Sequence, residues 1–252
     1  MKILGSDFDG TLTQGGIGAE KCDRIRKWRE AGNKFGIVSG RGLSSMAWMR
    51  NKYPELKWDF FAAYNGGTIL DENGKILFET RCRDVSARDL ASTLLSWGCR
   101  FVHIDSDRYF CAVADLADRP EKVAEADTVL IGQLPEVRDF YQVSLLLPTV
   151  EMAGEIVERV RRSYGEHLNP LQNGKCIDIV PFGVNKAEGL NRVMELYGAS
   201  SEDVIAVGDN VNDTDMIRAF HSYAMANGVR AIQDLADGGI VSDVTEIIER
   251  EL

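Results

Sequence analysis

The sequence predicts an α/β protein whose parallel-sheet core is interrupted by a separate α+β domain. Three observations predict this. Apolar runs alternate with helix-like segments from the N-terminus to about residue 80, and the same alternation resumes in the last quarter of the chain. Between them, residues 81–183 change to amphipathic helices interleaved with strands of alternating polarity. The expected domains are therefore 1–80 plus 184–252 for the core and 81–183 for the insert.

Taken in order, the apolar runs "KILGSD", "KFGIVSG" and "DFFAAYNG" are separated by "AEKCDRIRKWREAG" and "LSSMAWMRNKY". Strand, helix, strand, helix, strand is the pattern of a parallel sheet with crossover helices. In the insert, "ARDLASTLLSWG" and "EMAGEIVERVRRSYG" read as amphipathic helices, and "RFVHID", "RYFCAVA" and "YQVSLLL" as strands. Their alternation predicts an antiparallel sheet covered by helices on one face. The last quarter supplies "KAEGLNRVMELYG" as a helix, "DVIAVGD" as a strand, "NDTDMIRAF" as a helix and "SYAMA" as a short strand. No internal repeat or low-complexity segment interrupts this plan.

With 252 residues, 44% hydrophobic and 27% charged, the chain can bury a large core without staples. A net charge of −10 argues against nucleic acid or an anionic membrane surface as the main partner, since neither polyanion is attracted to such a field. It does not exclude a local cationic or metal-filled pocket for a small anion. Cys22, Cys82, Cys99, Cys111 and Cys176 are odd in number and contain no C-x-x-C pair, which predicts reduced thiols in a cytoplasmic protein. His103, His167 and His221 are far apart in sequence, so a metal is expected to sit on oxygen ligands. No basic leader and no apolar stretch approaching the ~20 residues of a membrane span are present, and the reading is a soluble, unexported protein.

Four short stretches carry chemistry. In "DFDGT", Asp7 and Asp9 follow the first strand. Residues i and i+2 of a strand face the same side, so continuation of the strand would aim both acids at one space. An Asp-Gly turn alone is common and needs no function. In "VSGR", Ser39 and Gly40 end the second strand before a helix; Ser39 is expected to cap that helix, and a hydroxyl with backbone N–H groups at a helix start is also an anion site. In "VNKAEG", Asn185 and Glu188 approximate a capping box that makes Lys186 the first helical residue. A cation there is disfavoured by the helix dipole, so Lys186 is either a solvated surface lysine or aimed at something strongly anionic. Because a lysine at a helix start contributes little to folding, its replacement is expected to cost catalysis far more than stability. In "VIAVGDNVND", Asp209 ends an apolar strand, with Asn210, Asn212 and Asp213 following. A polar turn capping the next helix would account for them. Together with Asp7 and Asp9, however, they put four acids at one edge of a parallel sheet, where ligands bind in open α/β folds. Only a hard divalent cation makes such a cluster sensible, and Mg²⁺ is the usual one where carboxylate and phosphate share the ligand set.

"DFDGT" after the first strand, "SGR" after the second, Lys186 opening a late helix and "GDNVND" after a late strand resemble the four ordered motifs of the haloacid dehalogenase-like hydrolases. The tail "AMANGVRAIQDLADGGIVSDVTEII", the hairpin after "NGG" and the large insert between the second and third motifs resemble the Cof-type subgroup with its α/β cap. The resemblance implies a Rossmann-like core and a phosphatase working through an aspartyl-phosphate. Asp7 would be the nucleophile, and Asp9 the acid and then the base. Mg²⁺ would be held by Asp7, the backbone carbonyl of Asp9 and Asp209, with Asp213 and Asn212 behind it or ligating through water. Thr11, Ser39, Gly40 and Lys186 would bind phosphate. An acid at the Asp9 position favours a phosphatase or phosphomutase over the superfamily's ATPases and dehalogenases, which lack it.

A phosphomutase of the same superfamily and, from a different class, a phospho-acceptor signalling domain are the alternatives. The expected partner is a small phosphorylated metabolite such as a sugar phosphate, with sucrose-phosphate and mannosyl-phosphoglycerate phosphatases possible within the same architecture; nothing fixes monomer or dimer. In the cap, His103, Arg108, Tyr109, Asn173 and Lys175 are candidate specificity residues. Asn65 is expected to make a hairpin turn before it serves a site.

Overall fold

The computed structural model describes residues 1–123 and 127–252. It divides into two compact units, Met1–Glu79 with Asn185–Leu252, and Thr80–Val184.

The first unit is an eight-stranded sheet in the order β14 (Ile240–Val241), β13 (His221–Met225), β12 (Val204–Gly208), β1 (Ile3–Ser6), β2 (Lys34–Val38), β3 (Phe60–Ala63), β4 (Thr68–Asp71), β5 (Ile76–Glu79). The strands from β14 to β3 pair in parallel, and β4 and β5 continue antiparallel. The central strands β1 and β12 are buried along their whole length, as strands covered on both faces must be. Helices α1 (Ala19–Glu30), α2 (Leu43–Lys52), α5 (Lys186–Tyr197), α6 (Thr214–Ala219), α7 (Arg230–Gln233) and α8 (Val244–Glu251) complete the unit. Ile3, Val204, Leu190, Val193, Met216 and Phe220 belong to one apolar cluster that joins the sheet to α5 and α6. Asp7, Ser39 and Asp209 follow β1, β2 and β12, so parallel pairing brings all three to one sheet edge.

The hairpin from β3 to β4 turns through Tyr64–Gly66, with Asn65 at φ 56° and ψ 33°. Asn65 is thus a turn residue, one of the few types that tolerate this region.

The second unit is a six-stranded sheet in the order β10 (Leu168–Asn173), β11 (Cys176–Pro181), β9 (Gln142–Leu146), β6 (Phe101–Asp105), β7 (Tyr109–Val113), β8 (Thr128–Leu130). Helices α3 (Ala87–Ser96) and α4 (Val150–Tyr164) cover one face, where Leu90, Leu94, Ile156, Val160, Val102, Ile104, Val143 and Ile177 form the core. Both helices open on a real cap: Ser86 Oγ accepts from Asp89 N and Thr149 Oγ1 from Met152 N. The sheet is not wholly antiparallel, as alternation alone predicts. β8 pairs in parallel with β7, with Cys111 opposite Thr128, Ala112 opposite Val129 and Val113 opposite Leu130. Among the described residues, no helix is long and apolar enough to cross a membrane.

Candidate active site

The chain leaves β1 in a single wide turn, with Leu12 N donating to Asp7 O at 3.2 Å and Thr13 N to Phe8 O at 3.0 Å. Inside it Asp9 is non-helical and Gly10 has φ 83°. Strand geometry therefore ends at Ser6, and the two-residue alternation that would aim Asp7 and Asp9 at one space does not apply. A side chain at Gly10 would also meet Asp209, since an added Cβ falls 2.6 Å from Asp209 Oδ2.

Asp7 points inward and is buried. Its Oδ1 accepts from Lys186 Nζ at 2.6 Å. The same ammonium donates to Asp213 Oδ1 at 2.5 Å. Lys186 is fully buried and is the first residue of α5, whose Asn185 cap accepts from Glu188 N through Oδ1 at 2.9 Å. The surface alternative for this lysine is thereby removed. Its charge is stabilised by the two acids against the cost of burial, which holds the ammonium above its ordinary pKa.

Asp213 has both oxygens engaged: Oδ2 accepts from the backbone N–H groups of Asp209 at 2.9 Å and Asn210 at 3.0 Å. Gly208 admits this carboxylate, since a Cβ there would fall 2.5 Å from Asp213 Cγ. Asp209 Oδ1 accepts from Thr11 Oγ1 at 2.7 Å. Asp7, Asp209 and Asp213 each place a carboxylate oxygen within 4.8 Å of the others, a group that could hold a metal ion. Burial pushes the Asp7 carboxyl up to about 8; Lys186 opposes this, and Asp213 and Asp209 reinforce it. Asp209 is also raised, first by burial and then by Asp213. Three acids against one ammonium leave a net negative, all-oxygen donor set, which fits a hard divalent cation such as Mg²⁺.

The remaining candidates fall into place differently. Ser39 is buried but does not cap α2; that helix begins four residues later, behind Gly42, and Ser39 Oγ accepts from Arg41 N at 3.2 Å. Gly40 follows it, partly exposed, at the same strand end. Asn212 is half-buried on the short turn before α6. Asp9 lies outside the acid cluster, bound to Arg41. The third letter of "SGR" is the signal for this arginine, and the sequence reading passed over it. It passed over Asn227 as well, whose Nδ2 donates to Gly10 O at 2.9 Å and ties the β13 end to the turn.

In the second unit, Arg108, Asn173 and Lys175 are exposed, while His103 and Tyr109 are half-buried on the helix-free face, hydrogen-bonded and stacked with ring centroids 5.5 Å apart. The same face carries residues that periodicity did not single out. Gln142 Nε2 donates to Ser144 Oγ at 2.8 Å and to Asp178 Oδ1 at 3.0 Å, and burial together with Asp178 pushes Asp105 up to about 6.

A family model described as haloacid dehalogenase-like hydrolase matches residues 4–246. The 5-amino-6-(5-phospho-D-ribitylamino)uracil phosphatase YwtE of Bacillus subtilis (strain 168) is 23% identical over 93% of this chain and 91% of its own length. A haloacid dehalogenase-like hydrolase from B. subtilis superposes with a TM-score of 0.82, at 18% identity and covering 100% of both chains. The structure of a HAD subclass IIB sugar phosphatase superposes with a TM-score of 0.76, at 15% identity over 99% of this chain and 98% of that one.

Proposed function

This chain belongs to the haloacid dehalogenase-like hydrolases, and we propose that it is a Mg²⁺-dependent phosphatase that hydrolyses a small phosphorylated metabolite through an aspartyl-phosphate on Asp7. The observation that carries the reading is the buried ammonium of Lys186 between Asp7 and Asp213, beside Asp209. A fixed cation held against a nucleophile is what a phosphoryl group needs as it approaches an anion.

An Asp7 oxygen attacks phosphorus in line, the bond from phosphorus to the substrate oxygen breaks, and Asp9 gives that oxygen a proton. Asp9 then takes a proton from water as the water attacks the phosphoryl group, releasing inorganic phosphate and restoring Asp7. Lys186, Ser39 and the backbone at Gly40 bind the phosphoryl oxygens and offset their charge. Thr11 and Asp213 hold their partners: Thr11 orients Asp209, and Asp213 orients Lys186 and the turn after β12. Mg²⁺ would be held by Asp7, Asp209 and the Asp9 carbonyl, and when bound it supplies charge that lets two anions meet. Both Asp213 oxygens already accept hydrogen bonds, from Lys186 Nζ and from the N–H groups of Asp209 and Asn210, which supports a place behind the ion.

The relatives named for a ribitylaminouracil phosphate and for sugar phosphates support a hydroxylated phosphoester as substrate. We place the reaction in the cytoplasm, in keeping with the reduced-thiol cysteine pattern. The test is turnover of p-nitrophenyl phosphate. EDTA should abolish it, added Mg²⁺ should restore it, and Asp7→Asn should have none. Full activity in metal-free buffer would remove the basis for the cation site; labelling without turnover would favour the phospho-acceptor alternative.

A further inference from the structure

Asp9 stands apart from the other acids of the site. Its carboxylate is taken up on both oxygens by one guanidinium: Arg41 Nε donates to Oδ2 at 2.6 Å and Nη2 to Oδ1 at 2.7 Å. This is the planar fork that arginine offers a carboxylate and lysine does not. Arg41 is itself fixed at three points. Its N–H donates to Ser39 Oγ at 3.2 Å, its carbonyl accepts from Tyr64 N at 3.0 Å, and its guanidinium lies 5.3 Å from the Phe8 ring centroid and 5.1 Å from that of Trp48. The two rings meet edge to face, 6.4 Å apart. Trp48 comes from α2 and Phe8 is the residue between the two acids, so the guanidinium joins that helix to the turn carrying Asp9.

The pair is too exposed to be explained by stability, with Asp9 at 53% and Arg41 at 34%; ion pairs this wet contribute little to folding. What the fork supplies is direction. Asp9 lies on a non-helical turn before a glycine of positive φ, and among the described residues no other side-chain hydrogen bond holds its carboxylate in one rotamer. We propose that Arg41 is the positioning residue for Asp9: it fixes the carboxylate beside, and outside, the Asp7–Asp209–Asp213 group, where it can reach the substrate's departing oxygen. The inference rests on the assignment of Asp9 as acid and base. It adds Arg41, with Phe8 and Trp48 as the collar that holds it.

The experiment compares kcat/KM for p-nitrophenyl, phenyl and p-methoxyphenyl phosphate, three leaving groups of similar shape and rising basicity. Because kcat/KM ends at the first irreversible step, it reports departure of the leaving group. In Arg41→Met, kcat/KM for p-methoxyphenyl phosphate should fall roughly 10²-fold and that for p-nitrophenyl phosphate only about 3-fold, since a misplaced acid matters most where protonation is needed. Arg41→Lys, which keeps charge and loses the fork, should fall between. On an Asp9→Asn background, Arg41→Met should leave the ratio between substrates unchanged. Thermal melting of each variant should match the parent. Equal loss on all three substrates would make Arg41 a phosphate or structural contact, and an undiminished effect on the Asp9→Asn background would break its link to Asp9; either overturns the inference. No turnover of any aryl phosphate by the unmodified chain with Mg²⁺ would overturn the phosphatase reading, and this inference with it.

Discussion

Lys186 Nζ lies 2.5 Å from Asp213 Oδ1, a contact as close as the one it makes with Asp7 at 2.6 Å. The lysine is as much a structural counter-ion as a phosphate ligand. Sequence reasoning expects its removal to cost catalysis and spare the fold; full burial between two acids reverses the second half. Lys186→Ala leaves two buried carboxylates without their cation, which should cost about 3 kcal/mol by urea denaturation in EDTA. Mg²⁺ should recover part of that, and turnover with Mg²⁺ should still fall by roughly 10²-fold. A variant as stable as the parent in EDTA would show that the ammonium compensates nothing.

Gly66 and Gly189 set how closely the β3–β4 turn approaches α5. At Gly66, φ is 94° and an added Cβ would fall 2.6 Å from Asn185 O and 2.8 Å from Gly189 Cα. The clash is with backbone, at the residue that caps the helix bearing Lys186. Gly66→Ala should destabilise by about 2 kcal/mol. Gly16→Ala, at φ 86° with nothing within 4 Å of the new Cβ, should cost about half that, from strain alone. Equal melting temperatures for the two variants would show that the close approach carries no cost.

What was legible in the chain was local. Apolar runs and their spacing marked β1, β2, β12 and α5, and parallel pairing then brought Asp7, Ser39 and Asp209 to one edge. The burial of Lys186 was not legible, because it depends on acids 179 and 27 residues away. Nor was the Arg41–Asp9 pair, 32 residues apart. The direction of the Asp9 side chain was not legible for a local reason: the chain turns at Phe8, directly after β1, so the strand alternation that its spacing invoked stops before Asp9. Ser39 was misjudged because Gly40–Gly42 delays the helix it was expected to cap. In the inserted unit, the parallel pairing of β8 is a choice between partners that periodicity cannot express.

The charge balance of the acid cluster gives a pH-dependent stability. The Asp7 pKa is raised from 3.8 to about 8, first by burial and then, against Lys186, by Asp213 and Asp209. The folded state therefore binds this proton more tightly than the unfolded chain does. The stability it contributes is present below pH ~4 and lost as pH rises towards about 8. Asp7→Asn removes that titration. In EDTA, the melting temperature of the variant should exceed the parent's by a margin that grows between pH ~4 and 8 and then levels. Mg²⁺ should narrow it by stabilising the parent more. A margin independent of pH would mean that Asp7 does not titrate in this range.

The two acids of "DFDGT" are separated by what each variant leaves possible. Asp7→Asn preserves the buried shape at the end of β1 and removes the nucleophile, so no phosphoryl group can be carried. Asp9→Asn removes proton transfers that are typically worth ~10²–10⁴-fold. It leaves Asp7 in its contact with Lys186, since Asp9 takes no part in that cluster. With p-nitrophenyl phosphate the leaving group needs little protonation, so the first transfer suffers less than the second, which still needs a base to activate water. The Asp9→Asn enzyme should therefore accumulate phosphate on Asp7. Rapid quench followed by intact-protein mass spectrometry should find one added phosphoryl group, and peptide mapping should place it in the N-terminal peptide containing Asp7. A label on any other residue, or turnover retained by Asp7→Asn, would show that the roles given to these two carboxylates are wrong.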